Sequence, residues 1–273
     1  MPDVKSPVTD PIADQDSPVT PDPWADLTRF TAARIALGRC GSSLPLAESL
    51  RFKLDHARAR DAVLAPFRQG EIAARLAEAG IPSLELESAV ADRNEYLTRP
   101  DKGRTLSPRS RDILQGQGVG HDLCLVIADG LSSLAIHQNA VPFVRAFLAS
   151  MAPSGLSVGP VSVVRHGRVA VADEIGALLG ARLSVMLIGE RPGLSSPDSM
   201  GVYLTWSPRP GTTDEARNCI SNVRRGGLPL AEGVRKLCYL VEEAFRMQGS
   251  GVGLKDRMAP GYLPFGREPA LPE

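Results

Sequence analysis

"VMLIGERPGLSS", residues 185–196, begins as a strand fit for a protein interior and ends as something else. Val185 to Ile188 are apolar without a break, and the strand-like segment reaches back to Arg182. A strand with no polar face is buried on both sides, the usual condition in a parallel sheet covered by helices. The run then meets Gly189-Glu190-Arg191-Pro192-Gly193. Two glycines and a proline impose a sharp turn there and bring a carboxylate and a guanidinium to the end of a buried strand.

Leu123 to Ala128 has the same texture and ends in Asp129-Gly130. A helical stretch over Gln138–Met151 follows it, and Val202–Trp206 reads as a further strand. Val161–Val164 and Val169–Val171 flank "RHGR" and read as a two-strand hairpin. Asp173 is placed to cap a short helix that runs through Leu179 and ends at Gly180. An amphipathic helix is predicted over Leu230–Met247, after Pro229. Apolar strands separated by helices predict an α/β fold: a mostly parallel, Rossmann-like sheet with flanking helices.

A smaller helical N-terminal region precedes that sheet. Leu46, Leu50, Leu54, Ala57 and Ala62 recur at helical spacing after Pro45, with charges filling the other positions. A second helix is expected over Glu71–Ala79, stopping at Gly80 with Pro82 beyond. The polar loop "NEYLTRPDKGRTLS" leads into a helix over Ser107–Gln115. The expected organisation is a disordered tail over residues 1–23, a helical domain over 24–115, an α/β domain over 116–258 and a C-terminal tail over 259–273. The first tail is rich in Pro, Asp, Ser and Thr and cannot bury enough surface to offset chain entropy.

Composition excludes several classes. The 273 residues carry 31 basic and 31 acidic side chains, so no cationic excess is available to neutralise nucleic-acid phosphates. No apolar stretch approaches the roughly 20 residues that cross a bilayer. Cys40, Cys124, Cys219 and Cys238 are scattered without a CxxC pair, which argues against a disulfide framework or a structural zinc and for a cytoplasmic protein. No secretory signal pattern opens the chain.

In open parallel sheets, ligands bind beyond the carboxyl ends of the strands. Asp129 and Glu190 stand at such ends. Helix capping by Asp129 and a surface ion pair between Glu190 and Arg191 are the bland alternatives. "GQGVG", residues 116–120, resembles a dinucleotide fingerprint, yet it precedes a strand where the fingerprint must follow one, so it reads as a linker. His56 reads as structural on an amphipathic helix, and His166 as an exposed turn residue. His121 with Cys124 lacks further metal ligands nearby, and Ser132 with His137 lacks a nucleophile elbow and an orienting acid. "CISNVRRGGLPL", residues 219–230, is either a buried cysteine before a Gly-Gly turn or a loop passing beneath a ligand.

Taken together, "RIALGRCGSSLP", "LDHARARDAV", "YLTRPDKGR", "VIADGLSS", "VRHGRVAVADEIG", "LIGERPGL" and "CISNVRRGG" resemble the small subunits of ethanolamine ammonia-lyases, over about residues 28–258. The resemblance implies an adenosylcobalamin-dependent lyase that turns ethanolamine into acetaldehyde and ammonia by radical chemistry belonging to the cofactor. It also implies a large subunit that holds the substrate in a TIM barrel, and an assembly of six large and six small subunits. The small subunit then supplies no catalytic acid or base and closes over cobalamin at the subunit interface.

Three family cobalamin-binding positions fall on Val169, Glu190 and Cys219. A carboxylate at Glu190 suits the amide N–H groups on the corrin rim, and Val169 with Cys219 suits its apolar body. The chain lacks the DxHxxG pattern that replaces the lower cobalt ligand with histidine, so no protein metal ligand is expected. Some family members carry an N-terminal amphipathic extension that directs them to bacterial microcompartments, and the Pro- and Asp-rich tail here shows no such face. A stand-alone cobalamin-binding module and an independent nucleotide-binding α/β enzyme are the alternatives. The missing histidine motif weighs against the first, and the missing glycine fingerprint against the second.

Overall fold

The computed structural model describes residues 17–31 and 33–266. The expected tails therefore lie outside the described residues up to position 16 and from position 267 onward. The chain divides into two compact units, residues 1–56 and 57–273. In the first, Thr20 and Arg39 exchange backbone hydrogen bonds of 2.7 and 3.0 Å, and a 3₁₀ segment over Ala25–Phe30 lies between them in sequence. Arg34 pairs with Asp55 and sets its guanidinium over the Phe52 ring.

Helix α1 (Leu46–Leu64) begins in the first unit and ends in the second. Its apolar positions Leu46, Leu50 and Leu54 are exposed, and only Ala62 is buried. Helical spacing defines a face without defining what covers it.

The second unit continues with α2 (Gln69–Glu78), β1 (Ser83–Glu87), α3 (Arg93–Thr98) and α4 (Pro108–Gln115). Then come β2 (Leu123–Ala128), α5 (Ser133–Met151), β3 (Val161–Arg165), α6 (Val171–Leu178) and β4 (Leu183–Gly189). It closes with β5 (Met200–Trp206), β6 (Arg217–Val223) and α7 (Leu230–Met247). Among the described residues, no helix is long and apolar enough to cross a membrane.

The six strands form one sheet in the order β1-β3-β2-β4-β5-β6. The first four are mutually parallel, while β5 and β6 are added antiparallel. The α/β class with flanking helices holds, and the mostly parallel sheet is corrected to a mixed one. Connection length explains the change. The links over 190–199 and 207–216 are too short for a crossover helix, so each strand after β4 can only double back.

Every residue of β2 and β4 is buried. Leu125, Ile127, Val185 and Leu187 join Phe143 and Phe147 of α5 and Val241 of α7 in one core layer. Val126, Ala128, Met186 and Ile188 join Val171 and Ile175 of α6 in the other. Helix α6 packs over β2 and β4. The antiparallel side differs: Ile220 and Val223 of β6 are buried, whereas Cys219 and Ser221 on the alternate face are exposed.

Two local expectations are corrected. The hairpin around "RHGR" does not form: Val161–Arg165 is a strand, but Val171 opens α6. β3 already has β1 on one edge and β2 on the other, so no edge is free for a returning strand. His166, at φ +57, turns the chain out of the sheet instead. Asp173 is no cap; it lies inside α6, buried, with both oxygens 2.7 Å from the Arg217 guanidinium.

Candidate functional site

The ends of β2 and β4 are clasped backbone to backbone. Gly130 has φ +56, and a Cβ there would stand 2.2 Å from the carbonyl oxygen of Gly189. The Leu131 N–H donates to that same oxygen at 2.9 Å. A Cβ on Gly189 would stand 2.1 Å from the Ser132 carbonyl oxygen. Ser132 caps α5 by accepting from the Ala135 N–H, and its hydroxyl donates to the Pro197 carbonyl at 2.7 Å. Ser132, and not Asp129, is thus the cap of α5. The turn after β4, opaque in sequence, is shaped by this close approach.

Glu190 leaves that turn and bends back. Its backbone N–H donates to the Ser199 carbonyl at 2.9 Å, and the Ser199 hydroxyl donates to its Oε2. The Asn222 N–H also donates to Oε2, at 3.2 Å. Oε1 takes no hydrogen bond from the described residues, and no ion pair with Arg191 is found among them. Gly201 makes room for this carboxylate: a Cβ at position 201 would meet Oε1 at 3.0 Å and the Tyr203 ring at 3.3 Å.

Tyr203 of β5 is the register partner of Cys219 on β6. Burial, then the neighbouring Cys219, pushes the phenol pKa upward. The Cys219 sulfur lies 3.4 Å from the Ser221 hydroxyl, and packing around it raises its pKa although the residue is exposed. Val169 and Tyr203 line one open cavity of about 720 Å3. Cys219 and Ser221 line a second of about 530 Å3, and Arg217 borders both. Tyr203 therefore links the three residues singled out from sequence: it shares a cavity with Val169, pairs with Cys219 and feels the charge of Glu190.

Sequence reading missed Ser199, Gly201 and Tyr203. The available signal was a tyrosine interrupting an apolar strand two residues after a glycine.

Asp129 belongs to a separate buried group. Arg93 donates to its Oδ2 at 3.2 Å and to the Gly130 carbonyl at 2.8 Å. His166 Nδ1 lies 3.3 Å from the same carboxylate oxygen. His166 is thus largely enclosed, with its side chain 15% exposed, where an exposed turn residue was expected. His121 packs against Gly159, and the Cys124 thiol is buried, its pKa pushed up to about 12. No group of three or more potential metal ligands is found among the described residues.

Fold and site together define the class: an α/β chain whose mixed sheet carries an open strand ledge beside the carboxyl end of its central strands. The family model described as ethanolamine ammonia-lyase light chain (EutC) matches residues 21–255, and the chain belongs to that family. It is 54% identical over 244 residues to the ethanolamine ammonia-lyase small subunit of Azotobacter vinelandii, covering 88% of this chain and 90% of that one. Identity to the small subunit of Ralstonia nicotianae is 50% over 264 residues, covering 95% and 98%. With the Pseudomonas fluorescens small subunit it is 54% over 239 residues, covering 86% and 87%.

Proposed function

We propose that this chain is the small subunit of an adenosylcobalamin-dependent ethanolamine ammonia-lyase and that Val169, Glu190 and Cys219 contact the cobalamin. The observation that carries this reading is the unengaged Oε1 of Glu190, held above Gly201 and beside Tyr203. The donor set fits the ligand. Corrin amides offer N–H groups to a carboxylate, and Val169, Tyr203 and Cys219 offer apolar or weakly polar surface to the macrocycle and its benzimidazole.

When bound, adenosylcobalamin supplies the radical chemistry that deaminates ethanolamine. The chain's own residues bind, orient and shield. Oε2 of Glu190 is spent on Ser199 and Asn222, which fixes the side chain before any ligand arrives. Its partner is a large subunit that holds the substrate, in an assembly of six large and six small subunits. The setting is the cytoplasm, free or inside a bacterial microcompartment; imaging a tagged chain in its host distinguishes the two.

Co-expression with a large subunit tests the reading. The expected result is saturable cobalamin binding and cofactor-dependent release of ammonia from ethanolamine. Cobalamin binding with no ammonia release would favour the stand-alone binding module; absence of both would overturn the proposal.

A further inference from the structure

The loop "YLTRPDKGR" and the turn "RHGR" meet. The Arg168 N–H donates to the Gly103 carbonyl at 2.7 Å, and Arg168 Nη2 donates to the Tyr96 carbonyl at 2.8 Å. Gly103 is required for this approach, because a Cβ would stand 2.8 Å from Arg168 Cγ. The contact brings Arg104 and Arg168 to the same cavity of about 720 Å3 that Val169 and Tyr203 line.

Most neighbouring cations are neutralised. Arg99 pairs with Asp101, Lys102 with Glu95, and Arg111 with Glu174. Arg217 is held by Asp173 and Asp214. Among the described residues, no carboxylate lies within ion-pair distance of Arg104 or Arg168. The two acids that line the cavity are engaged elsewhere: Glu174 holds Arg111 and the Leu106 N–H, and Asp214 holds Arg217. Arg168 Nε is buried and has no hydrogen-bond partner among the described residues. Its guanidinium lies 4.1 Å from the centroid of the Tyr96 ring, which fixes its plane without neutralising it. Two arginines without a carboxylate partner among the described residues, lining one cavity, give that cavity a positive charge that suits an anion.

We infer that Arg104 and Arg168 form a subsite for a phosphodiester monoanion, and that the anion is the phosphate of the cobalamin nucleotide loop. This rests on the cobalamin reading above. The corrin's peripheral amides are neutral, so the phosphodiester is the group on that ligand with the charge to match two arginines.

The test compares cyanocobalamin with its nucleotide-free analogue, cyano(aqua)cobinamide, by equilibrium dialysis against the complex of the full chain with its large subunit. Arg104→Ala and Arg168→Ala are expected to weaken cobalamin binding about tenfold each while leaving cobinamide binding unchanged. Arg168→Lys should recover part of the loss, since it keeps the charge but not the fork. Arg104 is exposed, and its side chain makes no hydrogen bond or ion pair among the described residues, so its variant stays informative if Arg168→Ala disturbs Tyr96.

Equal losses for both corrinoids, or none for cobalamin, would overturn the inference while the cobalamin reading stands. Inorganic phosphate that binds the complex without competing with cobalamin would also overturn it, by assigning the arginines to a free anion. Failure of the unmodified complex to bind either corrinoid would remove both readings.

Discussion

The backbone N–H of Asn222 donates to Oε2 of Glu190 at 3.2 Å, joining the residue after β4 to the penultimate residue of β6. Asn222 holds φ +62 to make this contact, and the Ser199 hydroxyl completes the grip on the same oxygen. One carboxylate oxygen is thus structural, and the other faces the ledge. Glu190→Gln retains only one acceptor oxygen for these two tasks. Cobalamin affinity of the reconstituted complex is expected to fall about tenfold, the loss of one charge-assisted hydrogen bond. Unchanged affinity in a spectral titration would remove Glu190 from the site.

The clasp between Gly130 and Gly189 tolerates no side chain. Alanine at position 130 meets a carbonyl oxygen of the backbone, which cannot swing aside as a side chain would, and φ +56 adds strain. Gly130→Ala should destabilise the fold by roughly 2–4 kcal/mol. Urea unfolding followed by far-ultraviolet dichroism measures this, and a midpoint equal to wild type would show that the strand ends can separate.

Asp173 and Arg217 are both almost fully buried and join α6 to β6 through two 2.7 Å hydrogen bonds. Removing one partner leaves the other charge buried and unpaired. Asp173→Leu and Arg217→Leu should each cost about 3–5 kcal/mol. The double variant should recover part of that loss, and strict additivity in a double-mutant cycle would show that the pair does not act as a unit.

His137 makes stability pH-dependent. The Arg68 N–H donates to its Nε2 at 3.1 Å, a bond that only the neutral ring accepts. Burial, then the Arg68 charge, holds its pKa below the ordinary 6.5. As the pH falls below 6.5 the unfolded chain takes up this proton before the folded chain does. The contribution is therefore full above 6.5 and is lost as the pH falls through the folded value. Thermal midpoints between pH 7.5 and 5 should decline less for His137→Gln than for wild type; parallel curves would contradict this.

The thiols separate by burial. Cys124 and Cys238 are buried, with pKa values pushed up to about 12, so native protein at pH 8 should resist alkylation at both. Cys219 is exposed on the ledge, and bound cobalamin should slow its modification by iodoacetamide. Peptide mapping with and without the cofactor checks both statements, and labelling of Cys219 at an equal rate in the two states would place the corrin elsewhere.

Much of the sheet was legible because buried strands and amphipathic helices follow one-dimensional periodicities. Leu123–Ala128, Val202–Trp206 and Leu230–Met247 fall within or on elements of the structure for that reason. β1 and β6 were not legible. "SLELE" alternates leucine with polar residues over only five positions and "RNCISNV" is largely polar, and what makes them strands is pairing with β3 and β5. The hairpin around "RHGR" failed because a local apolar pattern cannot report that both edges of β3 are already taken.

Sequence alone determined the α/β class, the presence though not the shape of a turn after β4, and the motif set that places the chain in its family, since each depends on residue type at fixed spacing. Tertiary structure decided that the sheet turns antiparallel after β4, that Glu190 bends back onto Asn222 instead of pairing with Arg191, and that Arg104 and Arg168 share a cavity. These relationships join residues 32 and 64 positions apart. Strand order and close backbone packing at glycines bring them together, and neither property is written in the neighbourhood of any one residue.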